Sequence, residues 1–212
     1  MSIKEIITVP NEILKKISEP IEKVGENEKK LVNDLFETMY HSKGIGLAAV
    51  QVGILKRVLV IDVSSKDEEK KPMSFINPII KKVSDETSIY EEGCLSIPDT
   101  FIEIQRPKIC EVEYIDLNGK KQNIKCDGLL STCLQHEINH LDGKLIIDHL
   151  SKLKRDFIIK KIECDGLLST CLQHEINHLD GKLIIDQLTK LKRDIIIKKI
   201  SKNKKNTNRV IV

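Results

Sequence analysis

Tryptophan is absent from the 212-residue chain, and phenylalanine and tyrosine number only four and three. Aromatic platforms on which nucleic-acid bases stack are therefore in short supply. A net charge of +3 is too small to argue for a nucleic-acid binder by itself. No run approaches the roughly 18 apolar residues that a membrane span needs. Met1-Ser2-Ile3-Lys4-Glu5-Ile6 carries neither an apolar signal core nor an Arg/Ser-rich leader. A soluble, cytoplasmic protein with no membrane partner is the expectation. The six cysteines form no C-x-x-C pair, and a chain of this size has no need of disulfide staples. Reduced, mostly buried thiols are expected. With 40% hydrophobic residues there is enough apolar surface for a core, which excludes wholesale disorder.

An internal repeat is present near the C-terminus. Residues 126–162 recur as 164–200, offset by 38, and only His149/Gln187, Ser151/Thr189 and Phe157/Ile195 differ. Two copies are too few for a solenoid, which needs about three units to bury a shared core. The pattern is that of a tandem duplication appended to one domain. The expected organisation is a catalytic domain over residues 1–162, followed by a duplicated helical segment and basic tail over 163–212.

Residues 11–17 read as a short helix capped by Asn11, and 27–42 as a longer one. Leu31, Leu35 and Met39 make the apolar stripe of the longer helix, and Gly44 marks its end. Arg57–Val63, Phe75–Val83 and Phe101–Ile104 read as strands, with Pro78 marking an edge or bulge. Asn118-Gly119 between Glu111–Leu117 and Lys120–Lys125 signals a two-residue hairpin turn. Asp127 and Gly143 bracket a helix as N-cap and C′ residue, and a further helix covers about 150–162. Strands segregated from helices predict an α+β fold with an antiparallel or mixed sheet.

The chemistry begins at His136-Glu137-Ile138-Asn139-His140. On a helix, positions i and i+4 share a face, so both imidazoles can ligate one metal. Glu137 sits beside them as a carboxylate able to reach a metal-bound water without being a ligand. Two histidines and a glutamate in a helix otherwise lined by leucine and isoleucine need a partner if buried. A third ligand is required, and Cys94 in Glu91-Glu92-Gly93-Cys94-Leu95-Ser96 is one candidate. Cys133, three residues before His136, is a competing one. The segment Gly44-Ile45-Gly46-Leu47-Ala48-Ala49-Val50-Gln51 offers small residues against which an extended substrate can lie, and an amide, Gln51, able to donate to an oxyanion. Leu129 and Cys133 lie on the helix face of the ligands and could floor an apolar pocket walled by Tyr90 and Ile45.

Taken together and in this order, the Gly44–Gln51 segment, the Glu92–Ser96 segment and the H-E-x-x-H motif closely resemble the peptide deformylase family over about residues 1–160. The resemblance implies an α+β fold with antiparallel strands around the motif helix. It implies a metal-dependent hydrolase that removes the formyl group from the N-terminal formyl-methionine of nascent chains. Cys94, His136 and His140 would bind one divalent metal, Fe2+ in many members, with Zn2+ or Ni2+ also accepted. Glu137 would move protons, the Leu95 N–H and Gln51 amide would steady the oxyanion, and the Gly46 backbone would meet the substrate, with Glu92 also in the substrate channel.

Two departures from the family pattern stand out. Asn139 occupies a position that is commonly Asp, so a pairing with Arg106 would become a neutral-acceptor hydrogen bond. The second motif, His174, Glu175 and His178, has no second Gly-Cys segment and is expected to be non-functional. A generic H-E-x-x-H metallopeptidase and an inactive, ribosome-associated relative are the alternatives. From Lys198 to the C-terminus there are six Lys/Arg and no acid, which reads as a solvated tail or, as the family resemblance implies, a segment that docks on ribosomal RNA.

Overall fold

The computed structural model describes residues 2–65, 68–164 and 166–203. It falls into two compact units divided between Ser151 and Lys152. The first runs α1 (Glu26–His41), β1 (Gly46–Ala48), β2 (Val58–Ile61), β3 (Met73–Val83), β4 (Thr87–Cys94), β5 (Ile97–Pro107), β6 (Ile109–Ile115), β7 (Lys121–Asp127) and α2 (Gly128–Leu141). One sheet has the order β1-β2-β3-β6-β7, and β4 and β5 form a separate two-stranded sheet. All these pairings are antiparallel, giving the α+β architecture expected.

The β2 sequence Val-Leu-Val-Ile is buried at every position because a helix covers each face of the sheet. Successive strand residues point to opposite faces. Leu59 and Ile61 join Cys133, Leu134, Ile138 and Leu141 of α2 in one core cluster. Val58 and Val60 join Leu31, Val32, Leu35 and Met39 of α1 in the other. Each such buried aliphatic side chain contributes about 1.5–3 kcal/mol. The motif helix is thereby fixed against the sheet along its apolar side.

Several local expectations change. Residues 11–17 form only a 3-10 turn, Glu12–Lys15, although Asn11 Oδ1 caps it by accepting the Ile13 N–H at 3.0 Å. At the end of α1 the left-handed residue is Lys43, at φ 57°, and the Gly44 N–H returns to the Met39 carbonyl at 2.9 Å. Gly44 instead lies close against Leu95, where a Cβ would fall 2.7 Å from Cδ1 and make that side chain shift. Pro78 marks a bulge, not an edge: β3 is interior to its sheet, and its register with β6 slips between Ile76 and Ile79. Strand β4 has no counterpart in the sequence reading, and β5 is longer than the segment expected. The β6–β7 connection is longer than two residues, because Asp116 accepts the Gly119 N–H at 3.0 Å and pairs with Lys120 across Leu117-Asn118-Gly119. Asp127 occupies the N-cap position of α2 without making a side-chain cap bond. Gly143 ends α2 as expected, at φ 71° with its N–H on the His140 carbonyl at 3.1 Å.

The second unit contains α3 (Lys152–Glu163), α4 (Gly166–Leu179) and α5 (Lys190–Asn203). Helix α3 packs on α4, and Lys154 pairs with Asp180. Helix α4 repeats the α2 sequence and stops in the same manner: Gly181 has φ 70° and its N–H meets the His178 carbonyl at 3.0 Å. Burial differs between the copies. Leu141 is 0% exposed and Leu145 3%, whereas their counterparts Leu179 and Leu183 are 46% and 50% exposed. Of the basic C-terminal stretch, Lys204, Lys205 and Arg209 lie outside the described residues. Among those described, no helix is long and apolar enough to cross a membrane.

Candidate active site

Helix α2 carries His136, Glu137 and His140 inward because its apolar side is held by the sheet. The end of β4 brings Cys94 to the same place. Cys94 Sγ lies 3.2 Å from His140 Nε2, and one donor atom from each of Cys94, His136 and His140 falls within 4.8 Å of the others. The two histidine rings stand edge to face, 5.0 Å between centroids. Cys133, the competing ligand, is not part of this cluster; its Sγ faces the Ile45 carbonyl at 3.8 Å, and burial pushes the thiol well up, where it stays protonated.

The donor set fits a transition-metal ion. One sulfur and two imidazole nitrogens match the ligand chemistry of such ions. The imidazoles are also oriented for it. Glu92 Oε2 lies 2.8 Å from His136 Nδ1, which fixes that nitrogen as the donor and leaves Nε2 free to ligate. Burial opposes protonation of His136, but its contacts with Cys94 and Glu92 outweigh burial and push it up to about 10. Burial drives His140 in the other direction, well below the ordinary histidine value.

Glu92 is itself clamped. Arg106 donates to it through Nε at 2.5 Å and through Nη2 at 2.9 Å, and the Arg106 Nη1 reaches Asn139 Oδ1 at 2.8 Å. The expected contact between Arg106 and residue 139 is present as a neutral-acceptor bond. Glu92 lines the cavity described below, but both of its oxygens are turned to Arg106 and His136. Its carboxylate is directed at His136 and Arg106. Its pKa is held below the usual carboxylate range: burial raises it, and the bonds from His136 and Arg106 overcome that.

Glu137 is buried, and its Oε2 has no hydrogen-bond partner. Burial pushes its carboxyl up to about 7, against the pull of the neighbouring His136 charge. An unpartnered carboxylate oxygen beside three convergent donors is poised to take a proton near neutral pH. Gly46 makes room for it: a Cβ there would lie 2.5 Å from Glu137 Oε1 and 2.8 Å from Cys133 Sγ. Gln51 is held rigidly, accepting the Ala48 N–H at 2.9 Å and donating to Ser96 Oγ at 3.1 Å. The same Nε2 faces Cys94 Sγ at 3.8 Å, so the amide is aimed at the donor cluster.

A cavity of about 490 Å³ opens over this group. Ile45, Gly46, Gln51, Tyr90, Glu92, Cys94, Leu95, Leu129, Cys133, His136 and Glu137 all line it, while His140 stands behind, 1% exposed. Sequence reasoning missed Ser96, which positions Gln51, and Phe101 at the cavity. The Phe101 ring lies over Gly93, its partner across β4–β5, where a Cβ would come within 2.8 Å of the ring. The Gly93-Phe101 pairing carries no sequence signal until the strand register is known. His174 and His178 of the second copy are not in the donor cluster.

A family model described as "Polypeptide deformylase" matches residues 3–156 and again 157–194. The peptide deformylase of Pelagibacter ubique is 57% identical over 162 residues, covering 76% of this chain and 94% of that one. That of Rhizobium meliloti is 52% identical over 161 residues, covering 76% and 92%. A crystal structure of peptide deformylase from Ehrlichia chaffeensis in complex with actinonin superposes with a TM-score of 0.74 at 47% identity, over 77% of this chain and 97% of that one.

Proposed function

Because the chain belongs to the peptide deformylase family, we propose a division of labour among its residues for the family's reaction. The enzyme is a metal-dependent hydrolase that takes the formyl group from the N-terminal formyl-methionine of nascent peptides and releases formate. Cys94, His136 and His140 would hold the metal, with Fe2+ the first choice and Zn2+ or Ni2+ the alternatives. When bound, the cation supplies Lewis acidity and makes water a competent nucleophile near neutral pH.

Glu137 takes a proton from the attacking water as its oxygen bonds to the formyl carbon. It then delivers that proton to the departing amine nitrogen as the C–N bond breaks, leaving formate and a free N-terminus. The Gln51 Nε2 and the Leu95 backbone N–H steady the negative oxygen of the tetrahedral species. Gly46 lets the substrate backbone approach, and Ile45, Tyr90, Leu129 and Cys133 receive the methionine side chain. Glu92, held in place by Arg106, orients His136. The copy containing His174, Glu175 and His178 takes no part in catalysis. The catalytic domain is assigned to residues 1–162 and the appended segment to 163–212, the boundary between the two copies in sequence.

The observation that carries this reading is the buried, unpartnered Oε2 of Glu137 beside the Cys94–His136–His140 cluster. The decisive assay is release of formate from formyl-Met-Ala-Ser, set against cleavage of internal peptide bonds in unformylated peptides. Peptide-bond cleavage without formate release would favour a general metallopeptidase. Actinonin, bound in the Ehrlichia structure, should occupy the same cavity here. A nascent-chain substrate supports a cytoplasmic location. Six Lys/Arg without an acid from residue 198 onward support contact with ribosomal RNA. Co-sedimentation with ribosomes across a salt series, with those six changed to glutamine, tests that contact.

A further inference from the structure

Outside the catalytic cavity, two donor atoms converge on α4. The Nε2 atoms of His174 and His178 are 2.9 Å apart, with the rings edge to face at 4.3 Å between centroids. His178 is exposed and His174 partly so. We propose that this pair is a second metal site, separate from catalysis, that takes a late divalent transition-metal ion, Ni2+ or Cu2+ in preference to Zn2+.

The spacing is compatible with chelation of one ion. With metal–nitrogen bonds of about 2.0–2.1 Å, two nitrogens 2.9 Å apart subtend about 90° at the metal. That is the angle between neighbouring ligands in tetragonal and octahedral complexes, whereas a tetrahedral ion asks for a separation of about 3.3 Å. Imidazole nitrogen in tetragonal surroundings suits Cu2+ and Ni2+. Mg2+ and Ca2+, which take oxygen ligands, are excluded.

The helix supplies the preorganisation. The i and i+4 positions place both rings on one face, and the Gln173 Nε2 bond to Asn177 Oδ1, 3.0 Å, spans an overlapping turn. At 2.9 Å one ring donates its Nε2 proton to the other. Metal binding requires only that this proton move to Nδ1 of its own ring, so that both lone pairs face the ion. The other coordination positions go to water. No third His, Cys, Asp or Glu donor joins the pair at comparable reach among the described residues. Glu175 is exposed and not enclosed as Glu137 is. The site therefore binds metal without assembling a second hydrolytic centre.

The experiment uses the full-length untagged holoenzyme, its catalytic metal in place, titrated with Ni2+, Cu2+ and Zn2+ by calorimetry. The expected result is one additional equivalent, tightest for Cu2+. His174→Ala/His178→Ala should abolish it, and either single change should weaken it at least tenfold, since chelation needs both rings. Deformylation by the double variant should match wild type, showing that the fold is intact. Bound metal should also slow proteolysis within α4 in wild type only, because the ion clamps one helical turn. An absent extra equivalent overturns the proposal. So does one that survives the double substitution, or one lost in Cys171→Ser, where the exposed thiol would be the ligand instead.

Discussion

Glu92 Oε2 and His136 Nδ1 lie 2.8 Å apart, both buried, and the same carboxylate is gripped by two nitrogens of Arg106. Glu92→Ala removes the group that fixes the imidazole and leaves Arg106 buried without its partner. Losses of about 10–100-fold in metal affinity are usual for such second partners. Breaking a buried pair from one side costs about 3–5 kcal/mol. Metal retention against a chelator and thermal unfolding should both fall. Unchanged metal retention would remove Glu92 from the orienting role.

Glu137→Gln should keep the metal and lose about 10²–10⁴-fold in turnover, because the carboxamide cannot carry the proton. Cys94→Ala, His136→Ala and His140→Ala should lose metal and activity together. Metal analysis beside formate release separates the two patterns. If Glu137→Gln also lost its metal, Glu137 would be a ligand.

Gly46→Ala tests the close approach directly. Its new Cβ would stand 2.5 Å from Glu137 Oε1, so the carboxylate must move. A displacement of about 1 Å costs on the order of 100-fold in rate. Turnover should drop while metal content stays that of wild type.

The paired histidine substitutions distinguish the copies. His136→Ala/His140→Ala should abolish deformylation, and His174→Ala/His178→Ala should leave it within about twofold. The reverse outcome would mean that the second copy supplies the working ligands.

A pH-dependent effect on stability is expected at another buried carboxylate, Asp62. Tyr40 donates to Asp62 Oδ2 at 2.6 Å, and Ser64 donates to Oδ1 at the same distance. Burial raises the Asp62 pKa, but these bonds outweigh it and the net shift is downward. A depressed carboxylate adds stability above its unfolded value, near 4, and that stability is lost as pH falls through the folded value. Tyr40→Phe keeps the ring under Lys70 and removes the hydroxyl. It should cost about 1.5–3 kcal/mol at pH 7 and progressively less below pH 4, measured by urea unfolding.

The parts of the site legible in the sequence are those whose chemistry depends on residue identity at fixed spacing. His136, Glu137 and His140 share a helix face wherever the helix goes, and Gln51 and Cys94 sit in short distinctive segments. Strand β4 was hidden because its pattern is inverted: Ile89 is 66% exposed while Glu92 on the inward face is 7% exposed. Hydrophobic alternation cannot find a strand whose buried residues are polar. The Glu92–His136 bond carries no sequence signal for the same reason, since the direction of that carboxylate depends on where Arg106 of β5 stands. The end of α1 is legible at Gly44, whose N–H closes on the Met39 carbonyl, but not the residue that makes the left-handed turn, since Lys43 takes the conformation glycine usually supplies.

Helices α2 and α4 have the same fourteen residues, yet the same substitution does not cost them equally. A change at Leu141 opens a hole in the core; the same change at Leu179 touches a side chain already half in solvent. The duplicated segment can therefore accept changes at its exposed leucines that its twin in the core cannot, so identical sequence carries unequal tolerance, graded by burial.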